Sequence, residues 1–322
     1  MFVGTRSLSG VVGLLIISTV GCGGGGSFRG GSLGAGSTAA TTSRTPAPVG
    51  STTTPGTPAP VGTQVVARGT FKALTYNVAG LPQVVSKVSP STNTTLISPL
   101  LNAYDLVVVQ EDFSYQVELA SAVTHPQRTA AHTGYSTILG DGLHAFSRVP
   151  FSGLVRTKWI DCNGWINQAN DCLASKGFFL IELEPSPGVK IHFYNLHADA
   201  GRSGADANTR KSNFKQLADV IFAQSKGVAV MVAGDTNLKV TSDPVDAQTL
   251  LDFLRVAGLK DAARTIGGTE TIDRIMYRNS ATGDVELEAK KWRYADEMID
   301  AAGLPLSDHE GVNVDFEWRL VK

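Results

Sequence analysis

Five mostly apolar runs in this chain stop at, or start from, side chains that can do chemistry. "FKALTYNV" carries Asn77 at its end, and "DLVVVQE" ends in Glu111. "KIHFYNLH" delivers His197, with Asp199 two residues on, and "VAVMVAGD" delivers Asp235, with Asn237 two residues on. "VNVDFEWRL" is preceded by Asp308 and His309. Any one of these polar ends is an ordinary turn or cap. Together, drawn only from Asn, Asp, Glu and His, they describe a site, because layered α/β folds bind ligands where apolar strands give way to loops. The chemistry such a set supports is cation-assisted attack on a phosphoester. A hard cation such as Mg²⁺ or Mn²⁺ wants oxygen ligands and keeps several waters, so one or two carboxylates suffice. Glu111 is the best such ligand, with Asn77 and Asp308 in support. His309 suits a base acting on water, His197 suits an acid for the leaving oxygen, and Asp235 and Asn237 suit the holding of water and phosphate.

The elements that must position these residues are strands and helices in mixed order. "DLVVVQE" and "VAVMVAGD" are apolar enough to be buried on both faces. "GFFLIELE" and "KIHFYNLH" form a strand pair around the turn "PSPG". "TIDRIMYR", "DVELEAKKW" and "VNVDFEWRL" finish the chain as strands. Residues 207–224 read as a helix with Phe214, Leu217, Ala218 and Ile221 on one face, and "DAQTLLDFLRVAGL" reads as a second helix ending at Gly258. Strand pairs joined by short turns predict mixed sheets covered by helices, in place of a simple parallel doubly wound sheet. Neither G-x-G-x-x-G nor a phosphate-binding P-loop sequence is present.

The ends of the chain bound its surroundings. Residues 1–22 have the form of an export signal: Arg6, then the ten-residue apolar run "VVGLLIISTV", too short to span a bilayer, then small residues and Cys22. This resembles a bacterial lipoprotein signal in which Cys22 becomes the lipidated first residue, although Thr19 stands where such signals usually have Leu. An exported, membrane-anchored or extracellular protein is expected. Residues 23–64 are rich in Gly, Ser, Thr, Ala and Pro, repeat "TPAPVG", and are expected to form a disordered tether. Residues 65–322 are expected to fold as one catalytic domain. At 42% hydrophobic residues the chain can bury a substantial core, and its net charge is −1. Beyond residue 64 there are 25 basic against 29 acidic residues. That balance argues against passive binding of a polyanion. Cys162 and Cys172 remain, and in an oxidising compartment such a pair forms a disulfide more readily than a metal site. Closing that loop contributes about 2.5–3 kcal/mol. Nothing calls for an obligate protein partner.

In order along the chain, "TYNVAGLP", "VVVQE", "NLHADAG", "VAGDTN", "DRIMY" and "LSDHEGV" resemble the endonuclease/exonuclease/phosphatase superfamily, which includes deoxyribonuclease I, neutral sphingomyelinases and inositol polyphosphate 5-phosphatases. The resemblance spans roughly residues 68–320. It implies a four-layer α/β sandwich with two packed mixed β-sheets and a divalent cation, Mg²⁺ or Mn²⁺. It also implies Glu111 as principal ligand with Asn77 beside it, His197 as acid or phosphate contact, and Asp235 with Asn237 as the pair orienting the nucleophile. Asp308 and His309 match its terminal Ser-Asp-His step, one towards metal and one, as base, towards water. Many relatives read Arg-Ile-Asp-Tyr where this chain has Arg274-Ile275-Met276-Tyr277. Asp273 is the alternative support for the catalytic histidine.

Fold and catalytic set do not choose a substrate. "NVAGLP" and the Lys176-Gly177 step resemble the sphingomyelinase-like branch. Trp165 and Ile166, in the Cys162–Cys172 loop, suit contact with lipid or a choline head group. With Asp199 and Lys176 as further substrate contacts, hydrolysis of membrane-lipid head groups is the expected activity. A secreted nuclease is the alternative, with Arg210, Lys211 and Lys215 on a helix and Lys290, Lys291 and Arg293 around Trp292 as phosphate contacts. A non-catalytic surface lipoprotein is the third reading.

Overall fold

The computed structural model describes residues 64–83, 89–132, 140–164, 172 and 174–322. In chain order the elements are β1 (Val65–Asn77), α1 (Pro90–Leu100), β2 (Leu106–Gln110), α2 (Gln116–Ala120), β3 (Gln127–Arg128), β4 (His144–Ser147) and β5 (Phe151–Lys158). Then follow β6 (Gly177–Leu183), β7 (Ile191–His197), α3 (Gly204–Gln224), β8 (Ala229–Asp235) and α4 (Pro244–Ala257). The last are β9 (Lys260–Asp261), α5 (Ala262–Ile266), β10 (Asp273–Arg278), β11 (Val285–Tyr294) and β12 (Val312–Val321). Among the described residues no helix is long and apolar enough to cross a membrane.

Two six-stranded sheets result, ordered β11-β12-β1-β2-β4-β3 and β5-β6-β7-β8-β10-β9. Both have the same design. A central parallel pair, β1/β2 in one and β7/β8 in the other, is flanked on each side by antiparallel strands. The expected sandwich of two packed mixed sheets is the observed one. Strand alternation builds its layers. Phe71 and Ala73 of β1, Leu106 and Val108 of β2, Phe193 of β7 and Met231 of β8 meet in the core between the sheets. Their out-of-phase neighbours Leu74, Tyr76, Val107 and Val109 pack under α1. Tyr194, Leu196, Val230 and Val232 pack under α3 and α4. β2 and β8 are therefore buried on both faces, which is why they read as unbroken apolar runs.

α3 and α4 differ from expectation only at their starts, whereas α1, α2 and α5 stand where no helix was expected. α3 begins at Gly204, before 207, because Ser203 and Asp206 form a capping box there. α4 begins at Pro244 under the Asp243 cap and stops where Gly258 turns left-handed. The sequence reading left out β4 and β5. β4 has only four residues, and β5 is an exposed edge strand without an apolar face.

Candidate active site

The alternation that lines the inter-sheet core continues to the strand ends, where its apolar residues become polar. In β1, Phe71, Ala73 and Thr75 are followed in phase by Asn77. In β7, Ile191, Phe193 and Asn195 are followed by His197. In β8, Ala229, Met231 and Ala233 are followed by Asp235. Gln110 of β2 donates across the sandwich to Asn195 Oδ1 at 2.7 Å and to Thr75 Oγ1 at 3.1 Å, forming a polar floor under the site. Neither Gln110 nor Asn195 stood out in the sequence, though the in-phase replacement of apolar by amide side chains is a readable signal.

Asn77 is the hub. Its Nδ2 lies 3.1 Å from Glu111 Oε1, 3.1 Å from Asp235 Oδ2 and 3.4 Å from His309 Nε2. Its Oδ1 accepts from Ala79 N at 3.0 Å. One amide thus gathers a carboxylate from each sheet and the last loop. Glu111 reaches it by an unusual route: one residue past β2, its backbone takes φ +58°. Among the described residues, the non-glycine positions with positive φ are Ala79, Glu111 and Asn237, all beside the site. Each such position costs about 1–2 kcal/mol, least for Asn, and is sustained by the surrounding structure. The glycine of "NVAGLP" has a physical reason here. A Cβ on Gly80 would stand 2.6 Å from the Glu111 carbonyl oxygen.

His197 ends β7 opposite Asp235. Its Nε2 lies 3.4 Å from Asp235 Oδ2 and 3.8 Å from Glu111 Oε1. The ring is 1% exposed, and neither nitrogen has a hydrogen-bond partner among the described residues. Buried orphan nitrogens of this kind suit a ligand or water that arrives between them and the carboxylates. Trp159 Nε1 holds the His197 carbonyl at 2.7 Å. Asn237 donates its backbone N–H to Asp235 Oδ1 at 2.9 Å and its amide to Ala198 O at 3.3 Å.

His309 Nδ1 bonds Asp273 Oδ2 at 2.8 Å, which turns Nε2 towards Asn77 and Asp235. Asp273 starts β10 opposite Asp235, whereas Met276 sits in the core of the same strand. The carboxylate beside the histidine is therefore Asp273. Ser307 fastens the loop by donating to Asn77 O at 2.7 Å and accepting from His309 N at 3.1 Å. Burial opposes charge on His309, but the Asp273 and Asp235 carboxylates outweigh it and hold the imidazole well above its ordinary range. Burial likewise works against the Asp235 carboxylate, and the nearby His309, His197 and Lys176 charges still bring it well below the usual carboxylate range.

Oxygens of Asp235 and Asp273 and a ring nitrogen of His309 lie within 4.8 Å of one another. Glu111 and Asp235 share a single amide donor. Carboxylates gathered this closely call for a counter-charge, and oxygen donors in this number fit a hard divalent cation.

Other expectations need correction. Asp308, expected at the metal, is exposed, and its carboxylate favours the charge on the neighbouring His309. Adjacent residues in a loop point apart, and here His309 has the inward position. Asp199, expected to touch substrate, is buried and accepts from Asn163 N at 3.0 Å, holding a neighbouring loop. Lys176 is buried as well, with Nζ 3.5 Å from Ala198 O, and its charge acts on Asp235. Arg210 cannot meet a nucleic-acid backbone. It is fully buried, paired with Asp246 at 2.8 Å, and donates to the carbonyls of Asp199, Ala200 and Gly201. Lys215 pairs with Asp219, Lys290 with Glu288 and Arg293 with Glu297, so these cations already have partners. Cys162 and Cys172 are joined, with Cα atoms 5.4 Å apart. Trp165, Ile166 and Cys22 lie outside the described residues. Sequence reading also missed a buried pair next to Glu111, in which Asp112 Oδ2 lies 2.5 Å from His144 Nδ1.

Two stacked mixed sheets with a carboxylate, amide and imidazole cluster at the ends of their central strands define a deoxyribonuclease I-like fold. The chain belongs to the Endonuclease/Exonuclease/phosphatase family, whose profile matches residues 74–309. It is 32% identical over 276 residues to the sphingomyelinase of Mycobacterium bovis, covering 78% of this chain and 53% of that protein. The chain thus spans about half the length of the curated relatives it matches. Among solved structures it is similar to a Staphylococcus aureus beta toxin mutant with bound magnesium ions. That match has a TM-score of 0.58 and 18% identity over 76% of this chain and 99% of the other. It is equally similar to D. rerio TDP2 complexed with a single-strand DNA product. There the TM-score is 0.57, with 17% identity over 77% of this chain and 98% of the other.

Proposed function

We propose that the protein is a divalent-cation-dependent phosphodiesterase that releases the phosphorylated head group of sphingomyelin or a related phospholipid. The observation that carries this reading is the Asn77 hub, which brings Glu111, Asp235 and His309 from separate strand ends into one hydrogen-bonded cluster. Glu111 and Asn77 would hold the cation, with Mg²⁺ favoured by the oxygen donors and Mn²⁺ as a substitute. Such a cation supplies Lewis-acid stabilisation of charge on the phosphoryl oxygens. The chain's own residues do the rest. Asp235 and Asn237 position the attacking water. His309, oriented by Asp273, takes its proton at Nε2. His197 contacts the phosphoryl oxygens or returns a proton to the leaving oxygen. The new P–O bond to water forms as the P–O bond to ceramide or diacylglycerol breaks, which yields phosphocholine from a choline lipid. The Asp273 and Asp235 carboxylates raise the proton affinity of His309, and a cation held nearby by Glu111 and Asn77 would press it down towards that of a base.

The lipid substrate is supported by the sphingomyelinase relative, by the net acidic body, and by the partnered state of most candidate phosphate-contacting cations. Export and lipidation at Cys22, followed by the tether, would place the domain at a membrane. Mass spectrometry of the mature protein tests that placement: an unmodified Cys22 in wholly soluble protein contradicts it. The activity is tested by a substrate panel of sphingomyelin vesicles, phosphatidylcholine vesicles, plasmid DNA and an inositol polyphosphate with Mg²⁺. Phosphocholine release is expected. Degradation of plasmid with untouched vesicles would replace the lipid reading with a nuclease, and no turnover on any phosphoester would favour a non-catalytic surface protein.

A further inference from the structure

We propose that the buried Asp112–His144 pair is a positioning device for Glu111, and that it sets the affinity of the cation site without touching cation or substrate. The inference rests on the reading of Glu111 as a cation ligand. Glu111 lies outside the strand ladder and at positive φ, and the Asn77 amide is its carboxylate's hydrogen-bond partner. Its placement therefore depends on what fixes the backbone on either side.

On the N-terminal side, Val109 is paired with His144 in the β2–β4 ladder. On the C-terminal side, Asp112 N donates to Gly142 O at 3.0 Å, and Asp112 Oδ2 accepts a hydrogen bond from His144 Nδ1 at 2.5 Å. A carboxylate only accepts, so this bond fixes the imidazole proton on Nδ1. Both flanks of Glu111 are thus tied to His144, the first residue of β4, and to Gly142 just before it. Gly80, pressed against the Glu111 carbonyl, closes the third side. The Asp112 side chain is fully buried, and its second oxygen has no hydrogen-bond partner among the described residues. A polar pair in such a place is a poor source of stability, since apolar replacements often serve as well. A fixed Glu111 is a reason for its presence. Groups that orient a metal ligand typically change metal affinity by about 10–100-fold when removed.

The test is Mn²⁺ binding measured by calorimetry on the folded protein, independent of turnover. Asp112→Leu removes the acceptor, Asp112→Asn keeps one, and His144→Phe removes the donor at similar volume. The expected result is a Kd for Mn²⁺ raised about 10–100-fold in Asp112→Leu and His144→Phe, with substantial recovery in Asp112→Asn. Should one of the first two fail to fold, the other decides. A lowered Tm with unchanged Kd would reduce the pair to packing and overturn the inference. If the unaltered protein binds no Mn²⁺, the reading of Glu111 as a ligand fails, and this inference falls with it.

Discussion

The two sheets share one plan and use it differently. Each has a central parallel pair flanked by antiparallel strands, and each presents polar residues at the same end of that pair. In the second sheet, His197, Asp235 and Asp273 occupy regular strand positions, in phase with the core and almost fully buried. In the first sheet, Asn77 follows that rule, but Glu111 does not. It stands beyond β2, at φ +58°, with its side chain 20% exposed. The difference lies in how each group is placed. His197, Asp235 and Asp273 are set by strand register, whereas Asn237 and His309 come from the loops that follow β8 and precede β12. The carboxylate assigned to a cation is set by a turn, where a few neighbouring bonds decide its position and the cation can reach it.

The largest effect expected from this comparison is at the imidazole that joins the sheets. His309 comes from the loop before β12 in the first sheet and bonds Asp273 in the second. Its replacement by Ala should lower kcat by about 10²–10⁴-fold. Steady-state kinetics on a soluble chromogenic phosphodiester with saturating Mg²⁺ checks this, and a near-normal kcat would remove His309 from the proton-transfer role. A smaller effect should appear in stability. The loop closed by Cys162 and Cys172 is tied to the second sheet's site through Asn163 and Asp199. Replacing both cysteines by Ala should cost about 2.5–3 kcal/mol in denaturant unfolding, with kcat on the soluble diester kept within a few-fold. A collapse of kcat there would show that the second sheet's site is less rigid than its register implies. The smallest effect concerns the turn. Glu111→Gly removes the Cβ that makes positive φ unfavourable, so it should be more stable than Glu111→Ala by about 1 kcal/mol. Equal stability of the two would mean that the turn stores no strain.

Much of this was legible in the sequence because period-two alternation runs from core to site without interruption. Asn77, His197 and Asp235 are the in-phase continuation of Phe71, Phe193 and Met231, so the same pattern that reveals the strands reveals the site. Asp273 was left as an alternative, since only the pairing of β10 with β8 brings it against His309. Spacing along a loop does not say which of two adjacent side chains turns inward, and here it is His309, with Asp308 exposed beside it. Arg210 looked like a surface cation because its partner Asp246 lies on another helix, 36 residues away. The Asp112–His144 pair was invisible for a related reason. Its members are 32 residues apart, and β4 is too short to show a pattern.

The most direct test is a Mg²⁺ titration of phosphocholine release from sphingomyelin vesicles by the unaltered protein and by Glu111→Ala, with a chelator control. The account predicts saturable, Mg²⁺-dependent release by the unaltered protein. It predicts no release in excess chelator, and none from folded Glu111→Ala at any Mg²⁺ concentration. Full release in excess chelator, or a Glu111→Ala variant that keeps its Mg²⁺ response, would contradict it.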